Sequence, residues 1–128
     1  LNSGELDGIR VLSPASVNLM SQNHIGDLEA ASSIKTSNPR LSNDVDFWPD
    51  SVDKFGLGFL INTDPIPEGR PAGSLAWAGL YNSYYWIDPE NDLCGVVITQ
   101  ILPFYDVDVL TLLSDFETAV YAIVRPRK

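Results

Sequence analysis

Apolar and polar positions change rhythm along this chain, and each rhythm predicts a different element. Residues 4–12, Gly4-Glu5-Leu6-Asp7-Gly8-Ile9-Arg10-Val11-Leu12, set glycines around a short polar step and then alternate, which predicts a small hairpin or turn-strand. Ser13 carries the hydroxyl that an N-cap needs and Pro14 suits a first helical position. Val17, Leu19 and Met20 then follow toward Asn23, so a short helix is expected. From residue 25 to 54 Ser, Asn, Asp and Pro dominate, with Phe47 and Trp48 as the strong anchors. Such a stretch reads as a long irregular connection, of a length that is usually functional or draped over a neighbour.

Period two follows. Phe55, Leu57, Phe59 and Ile61 share one face of a strand expected over residues 55–63, closed by Asp64-Pro65. After a loop over residues 66–73, three antiparallel strands are expected over residues 74–80, 83–88 and 93–100. The turn before the last is Asp88-Pro89-Glu90-Asn91-Asp92. Over residues 106–124 the period lengthens, and Val109, Leu112, Leu113, Phe116, Val120 and Ile123 outline the apolar face of an amphipathic helix that should lie on this meander. An antiparallel sheet covered by a terminal helix is an α+β pattern. Residues 1–54 would form the helix and long loop, and residues 55–128 the strands plus terminal helix. The first strand of the sheet would be an edge with nothing upstream to pair.

Composition narrows the classes of function. The 128 residues are the size of one ordinary domain, and at 45% hydrophobic they can bury a core. Seventeen acidic against eight basic residues leave a net charge of −9, which repels a phosphate backbone and excludes nucleic acid as a partner. Cys94 stands alone, so there is no internal disulfide. The compartment stays open, with the cytoplasm slightly favoured. The apolar runs at residues 96–98 and 101–104 are far too short to span a bilayer, and a soluble chain is expected. Leu1-Asn2-Ser3-Gly4 has no signal-peptide features and reads as a start inside a longer protein.

Isolated chemical candidates are weak. His24 is the single histidine and has no cysteine beside it, so it is expected to end the helix rather than hold a metal. Asp88, Glu90 and Asp92 alternate like a calcium loop, but its glycine and distal glutamate are missing, and a solvated turn is expected. Cys94, between Leu93 and Gly95, is expected to be a small buried hydrophobe. No cofactor is implied.

The ordered set carries more. Gly4 through Pro14, Met20, Asn23-His24, Phe55-Gly56-Leu57-Gly58-Phe59, Trp77-Ala78-Gly79, Tyr85-Trp86-Ile87-Asp88-Pro89, the run from Gly95 to Gln100 and a helix ending Ala119-Val120-Tyr121 occur in series. Together they resemble the C-terminal part of serine hydrolases of the β-lactamase, family VIII carboxylesterase and penicillin-binding-protein type. The resemblance implies a five-stranded antiparallel sheet packed by helices, in the β-lactamase/transpeptidase-like fold, of which the last three strands would lie here.

It also places Trp77-Ala78-Gly79 at the position of the family's third motif, K-T-G or W-x-G, on the strand that edges the active site. Gly79 would let an acyl group approach, and the Leu80 backbone amide would point at a developing oxyanion, where one donor is worth about 3–4 kcal/mol of transition-state stabilisation. Tryptophan in place of lysine offers an apolar face instead of a partner for a substrate carboxylate, which favours neutral esters over penicillins.

In this family the nucleophile is the serine of S-x-x-K, with a tyrosine motif completing proton transfer. Ser32-Ser33-Ile34-Lys35 matches literally, but Asn38-Pro39 follows too closely for the long helix that would hold serine and lysine rigid. Tyr81-Asn82-Ser83 comes two residues after Gly79 and is expected to be a strand turn. The implied partner is therefore the N-terminal portion of the same hydrolase, bearing those motifs, and the implied substrate is a small ester or amide. The alternative is a stand-alone, non-catalytic binding or assembly domain that uses its exposed sheet edge.

Overall fold

Local chemistry sets the first elements of the computed structural model, which describes residues 1–30, 33–47 and 51–124. Asp7 and Gly8 both take positive φ, 50° and 78°, the two-residue turn whose twist matches its flanking strands. They join β1 (Glu5–Leu6) to β2 (Ile9–Arg10), with Leu6 opposite Ile9. Ser13 caps α1 (Pro14–Met20), its hydroxyl accepting the Ser16 amide at 3.0 Å. His24 does end this helix: its Nε2 lies 2.7 Å from the Leu19 carbonyl oxygen.

The main sheet is antiparallel throughout, in the order β3 (Lys54–Phe55), β4 (Leu60–Ile61), β5 (Leu75–Gly79), β6 (Ser83–Asp88), β7 (Leu93–Val97). The single strand expected over residues 55–63 is in fact a tight reversal that sets Phe55 opposite Leu60. Gly56 and Gly58 cause it. Gly58 takes φ 111°, and a side chain at Gly56 would put its Cβ 2.1 Å from the Met20 carbonyl oxygen. The apolar alternation concealed this turn. β4 pairs with β5 at Leu60–Ala76 and Ile61–Leu75, and β3, the first strand of the sheet, lies at its edge.

β7 stops at Val97, short of the expected residue 100. Thr99 leaves the ladder to donate its hydroxyl to the Tyr81 carbonyl at 2.6 Å, with the Asn82 carbonyl 3.0 Å away.

The helix α2 (Val107–Val124) packs on the face bearing Ala76, Tyr84 and Trp86. Asp106 caps it, accepting the amides of Asp108 and Val109 at 3.0 and 3.1 Å. Its buried stripe differs from the expected one: Val109, Leu113, Glu117 and Tyr121 face inward, while Leu112 and Ile123 are 53% and 85% exposed. Two polar anchors rotate it. Buried Arg70 grips Glu117 through Nη2–Oε2 at 2.6 Å and Nε–Oε1 at 2.9 Å, and its guanidinium lies 5.2 Å from the Trp86 ring centroid. Tyr121 donates to Asp88 Oδ2 at 2.7 Å. Buried charge is tolerated where it is paired in this way.

Two expectations are corrected. Asp88 is fully buried rather than solvated, its carboxylate also accepting the amides of Glu90 and Asn91 at 2.9 and 3.1 Å. Cys94 is exposed, because it pairs with Ile87 on the sheet face opposite Trp86. Gly95, opposite Trp86, makes room for the indole; a Cβ there would sit 2.1 Å from the ring.

Candidate active-site strand and its cavity

Gly79 pairs with Ser83, so Leu80, Tyr81 and Asn82 form the three-residue turn between β5 and β6. Asn82 closes the turn with φ 59°, a conformation that asparagine tolerates better than most residues. It is wholly buried, and its side chain is fully used. Nδ2 donates to the carbonyls of Ile101 and Pro103 at 2.9 and 2.8 Å. Oδ1 accepts the Tyr84 hydroxyl at 2.8 Å and the Asp106 amide at 3.0 Å. The Ile101 amide and the Thr99 hydroxyl both bond the Tyr81 carbonyl. One residue thus ties the end of the W-x-G strand to the loop before α2 and to that helix's cap. Tyr81-Asn82-Ser83 is a strand turn, as expected from its place after Gly79. The anchoring role of Asn82 has only one signal in the sequence, a turn-favouring residue three positions beyond a strand glycine.

Among the described residues, no turn or loop hydrogen bond uses the Leu80 N–H. Gly79 is open: a Cβ built there would meet only Ser83, at 3.8 and 3.9 Å. Trp77, 40% exposed, rests edge-on against Phe55 with centroids 5.1 Å apart and lies 6.2 Å from the Phe47 ring. Together Trp77, Ala78, Gly79 and Leu80 make one wall of a cavity of about 320 Å3.

The other wall comes from residues 33–47 of the long connection, together with Phe104. Ile34 and Val45 exchange backbone hydrogen bonds at 2.8 and 2.9 Å, and Ser42 bridges to Phe104. Asn43 fastens the segment further, its amide donating to the Phe104 carbonyl at 2.9 Å and its Nδ2 to that of Tyr105 at 3.1 Å. The Tyr105 hydroxyl donates to the Asp46 carbonyl. Val45 is buried, and Ile34, Ser42, Val45, Phe47 and Phe104 complete the lining. Sequence reasoning missed all five as site residues, although Phe47 stood out as an anchor.

The lining is apolar apart from the Ser42 hydroxyl, and that hydroxyl donates to the Asn43 carbonyl at 2.7 Å. Lys35 is paired with Asp44 at 2.9 Å on the exposed side, and the Thr36 amide and Lys35 together hold the Asp44 carboxyl below its ordinary range. Ser32 and Trp48 lie outside the described residues. Ser33 has φ 50° and Ile34 lies in an extended bridge, so residues 33–35 present no helix to carry a Ser–Lys pair. Among the described residues, no cluster of three or more His, Cys, Asp or Glu side chains could hold a metal, and no helix is long and apolar enough to cross a membrane.

An antiparallel meander with a terminal helix on one face and an apolar cavity against its W-x-G strand defines an α+β domain of the β-lactamase-like class. The chain belongs to the beta-lactamase family, which matches residues 7–118. It is 32% identical over 114 residues to Protein Rv1367c of Mycobacterium tuberculosis, covering 84% of this chain and 26% of that one. It is 33% identical over 105 residues to lovastatin esterase of Penicillium rubens, covering 76% and 25%. Its fold superposes on unliganded simvastatin synthase (LovD) from Aspergillus terreus with a TM-score of 0.73 at 26% identity, over 93% of this chain and 31% of that one. The chain therefore spans about a quarter to a third of the relatives it matches.

Proposed function

We propose that this chain is the C-terminal part of a serine hydrolase that cleaves neutral carboxylic esters through an acyl-enzyme, and that the Trp77–Leu80 strand is its active-site wall. The observation that carries the reading is the apolar cavity of about 320 Å3 built against that strand, with an open glycine and an unoccupied amide at its end. Its volume lies at the small end of ligand pockets, and no cation lines it to hold a substrate carboxylate. Serine and lysine would come from sequence outside this chain. The serine oxygen adds to the ester carbonyl carbon as its proton passes to the lysine. The carbonyl oxygen becomes an oxyanion facing the Leu80 N–H, and collapse expels the alcohol with a proton. Water then adds to the acyl-serine and releases the acid. A relative that bears the name of an esterase is consistent with this class of substrate.

The test is Gly79→Val in the full-length hydrolase. An added Cβ meets only Ser83, at ordinary contact distance, and valine suits a strand, so the fold should hold. The branched side chain would fill the approach to the acyl carbon, and kcat/KM on short aryl esters should fall at least about 100-fold. Unchanged circular dichroism together with full kcat/KM would overturn the reading.

A further inference from the structure

Two cavities meet at one side chain. Besides the cavity on the W-x-G strand there is a second, of about 210 Å3, under α2, with Ile66, Leu110 and Leu113 as its apolar lining and the Arg70–Glu117 pair beside them. Among the described residues, Phe47 is the one that lines both. A third space of about 10 Å3, room for about one water, forms a seam that shares Phe47 and Trp77 with the first lining and Phe47, Arg70 and Leu113 with the second. The ring is wedged accordingly. Its centroid is 6.2 Å from Trp77 and 6.3 Å from Phe104, both in the first wall, and 5.6 Å edge-on from Tyr105, in the second. Close-packed aromatics of this kind hold one geometry rather than flex.

We propose that Phe47 sets the length of acyl chain the hydrolase accepts, as the partition that ends the acyl cavity and closes it off from the apolar space under α2. The inference rests on the reading that the cavity on Trp77-Ala78-Gly79 receives the acyl group. Arg70 and Glu117 satisfy each other at 2.6 and 2.9 Å, so the second space holds no unpaired charge from this pair to refuse an alkyl chain. With the ring in place, a chain that outgrows the first cavity is stopped at Phe47. Without it, the chain continues through the widened seam toward Leu110 and Leu113.

The experiment uses the full-length hydrolase and a p-nitrophenyl ester series in which the acyl chain lengthens two carbons at a time while the leaving group stays constant. Phe47→Ala should move the optimum to longer chains and raise the long-to-short ratio of kcat/KM at least about tenfold, the scale of one or more seated methylenes. Phe47→Leu, which keeps an apolar side chain of intermediate size, should move it part of the way and serves if the alanine variant does not fold. A second series, with the acyl group fixed as acetyl and the alcohol varied, should run parallel in wild type and variants.

Folded variants with the wild-type acyl profile would overturn the proposal, as would a shift confined to the alcohol series. If Gly79→Val is inactive while the Phe47 variants keep the wild-type profile, the partition alone fails. If Gly79→Val stays active, the active-site reading fails first.

Discussion

Two polar residues flank β5, Ser74 before it and Asn82 in the turn after it; both are fully buried, and they are treated in opposite ways. At the strand's C-terminal end, Asn82 spends every donor and acceptor of its side chain on four protein partners. At the N-terminal end a polar row crosses the sheet. The Asn62 amide donates to the Ser74 carbonyl at 3.2 Å, and the β3–β4 register carried one residue further sets Asp53 opposite Asn62. Here Asp53 Oδ1, Asn62 Oδ1 and Ser74 Oγ are buried without a protein partner, although the Asn62 amide nitrogen donates to the carbonyls of Asp64 and Pro71.

A satisfied polar residue fixes geometry, whereas an unsatisfied row costs stability. The end fixed by Asn82 is the one next to Leu80, which lines the cavity. On the proposed reading, that is where positional precision of a few tenths of an ångström matters to chemistry.

Asn82→Ala should break this contrast with the largest effect. It strands two carbonyls, one amide and one hydroxyl and forces alanine to φ 59°, so the loss should be on the order of 4 kcal/mol, read as a fall in the urea midpoint. Asn82→Gly keeps the backbone conformation at ease and should recover about 1 kcal/mol of that.

Leu80→Pro probes the same end without touching its packing anchors. Proline removes the N–H and suits the first position of such a turn, after a glycine that is already extended. If the Leu80 N–H is the oxyanion donor proposed, kcat of the full-length enzyme should drop by roughly 10²–10³ with a near-native melting temperature. An unchanged kcat in a folded variant would remove Leu80 from the site.

Asp53→Asn probes the other end and should be the smallest change. Burial pushes the Asp53 carboxyl from 3.8 up to about 6, so the folded state binds the proton more tightly than the unfolded one. Stability should therefore fall as pH rises through the window from about 4 to about 6 and stay low above it. The asparagine variant should lose that slope and gain on the order of 2 kcal/mol at pH 7, with little gain at pH 4. Parallel stability curves across this window would show that the row is not under strain.

Much of this architecture was legible because its causes are local. Ser13-Pro14 caps a helix, Asp7-Gly8 makes a hairpin turn, and period two gives way to period three-to-four at Asp106, where α2 begins one residue later. These features depend on neighbours within a few positions, and the ordered motifs extended them to a family. Local periodicity also misled, at Gly56-Leu57-Gly58, because an alternating apolar pattern looks the same whether the chain runs straight or doubles back.

Other features became visible only in three dimensions, since their partners lie far away in the chain. Which side of α2 faces the sheet is decided by Arg70 and Asp88, 47 and 33 residues from Glu117 and Tyr121, and burial of a paired carboxylate outweighs exposure of Leu112 and Ile123. Likewise Ile34, Val45, Phe47 and Phe104 share no spacing that marks them as one wall. Backbone bonds from Asn43 and Leu41 to the loop before α2 bring them together, and only that long-range pairing turns a polar connection into the far side of a cavity.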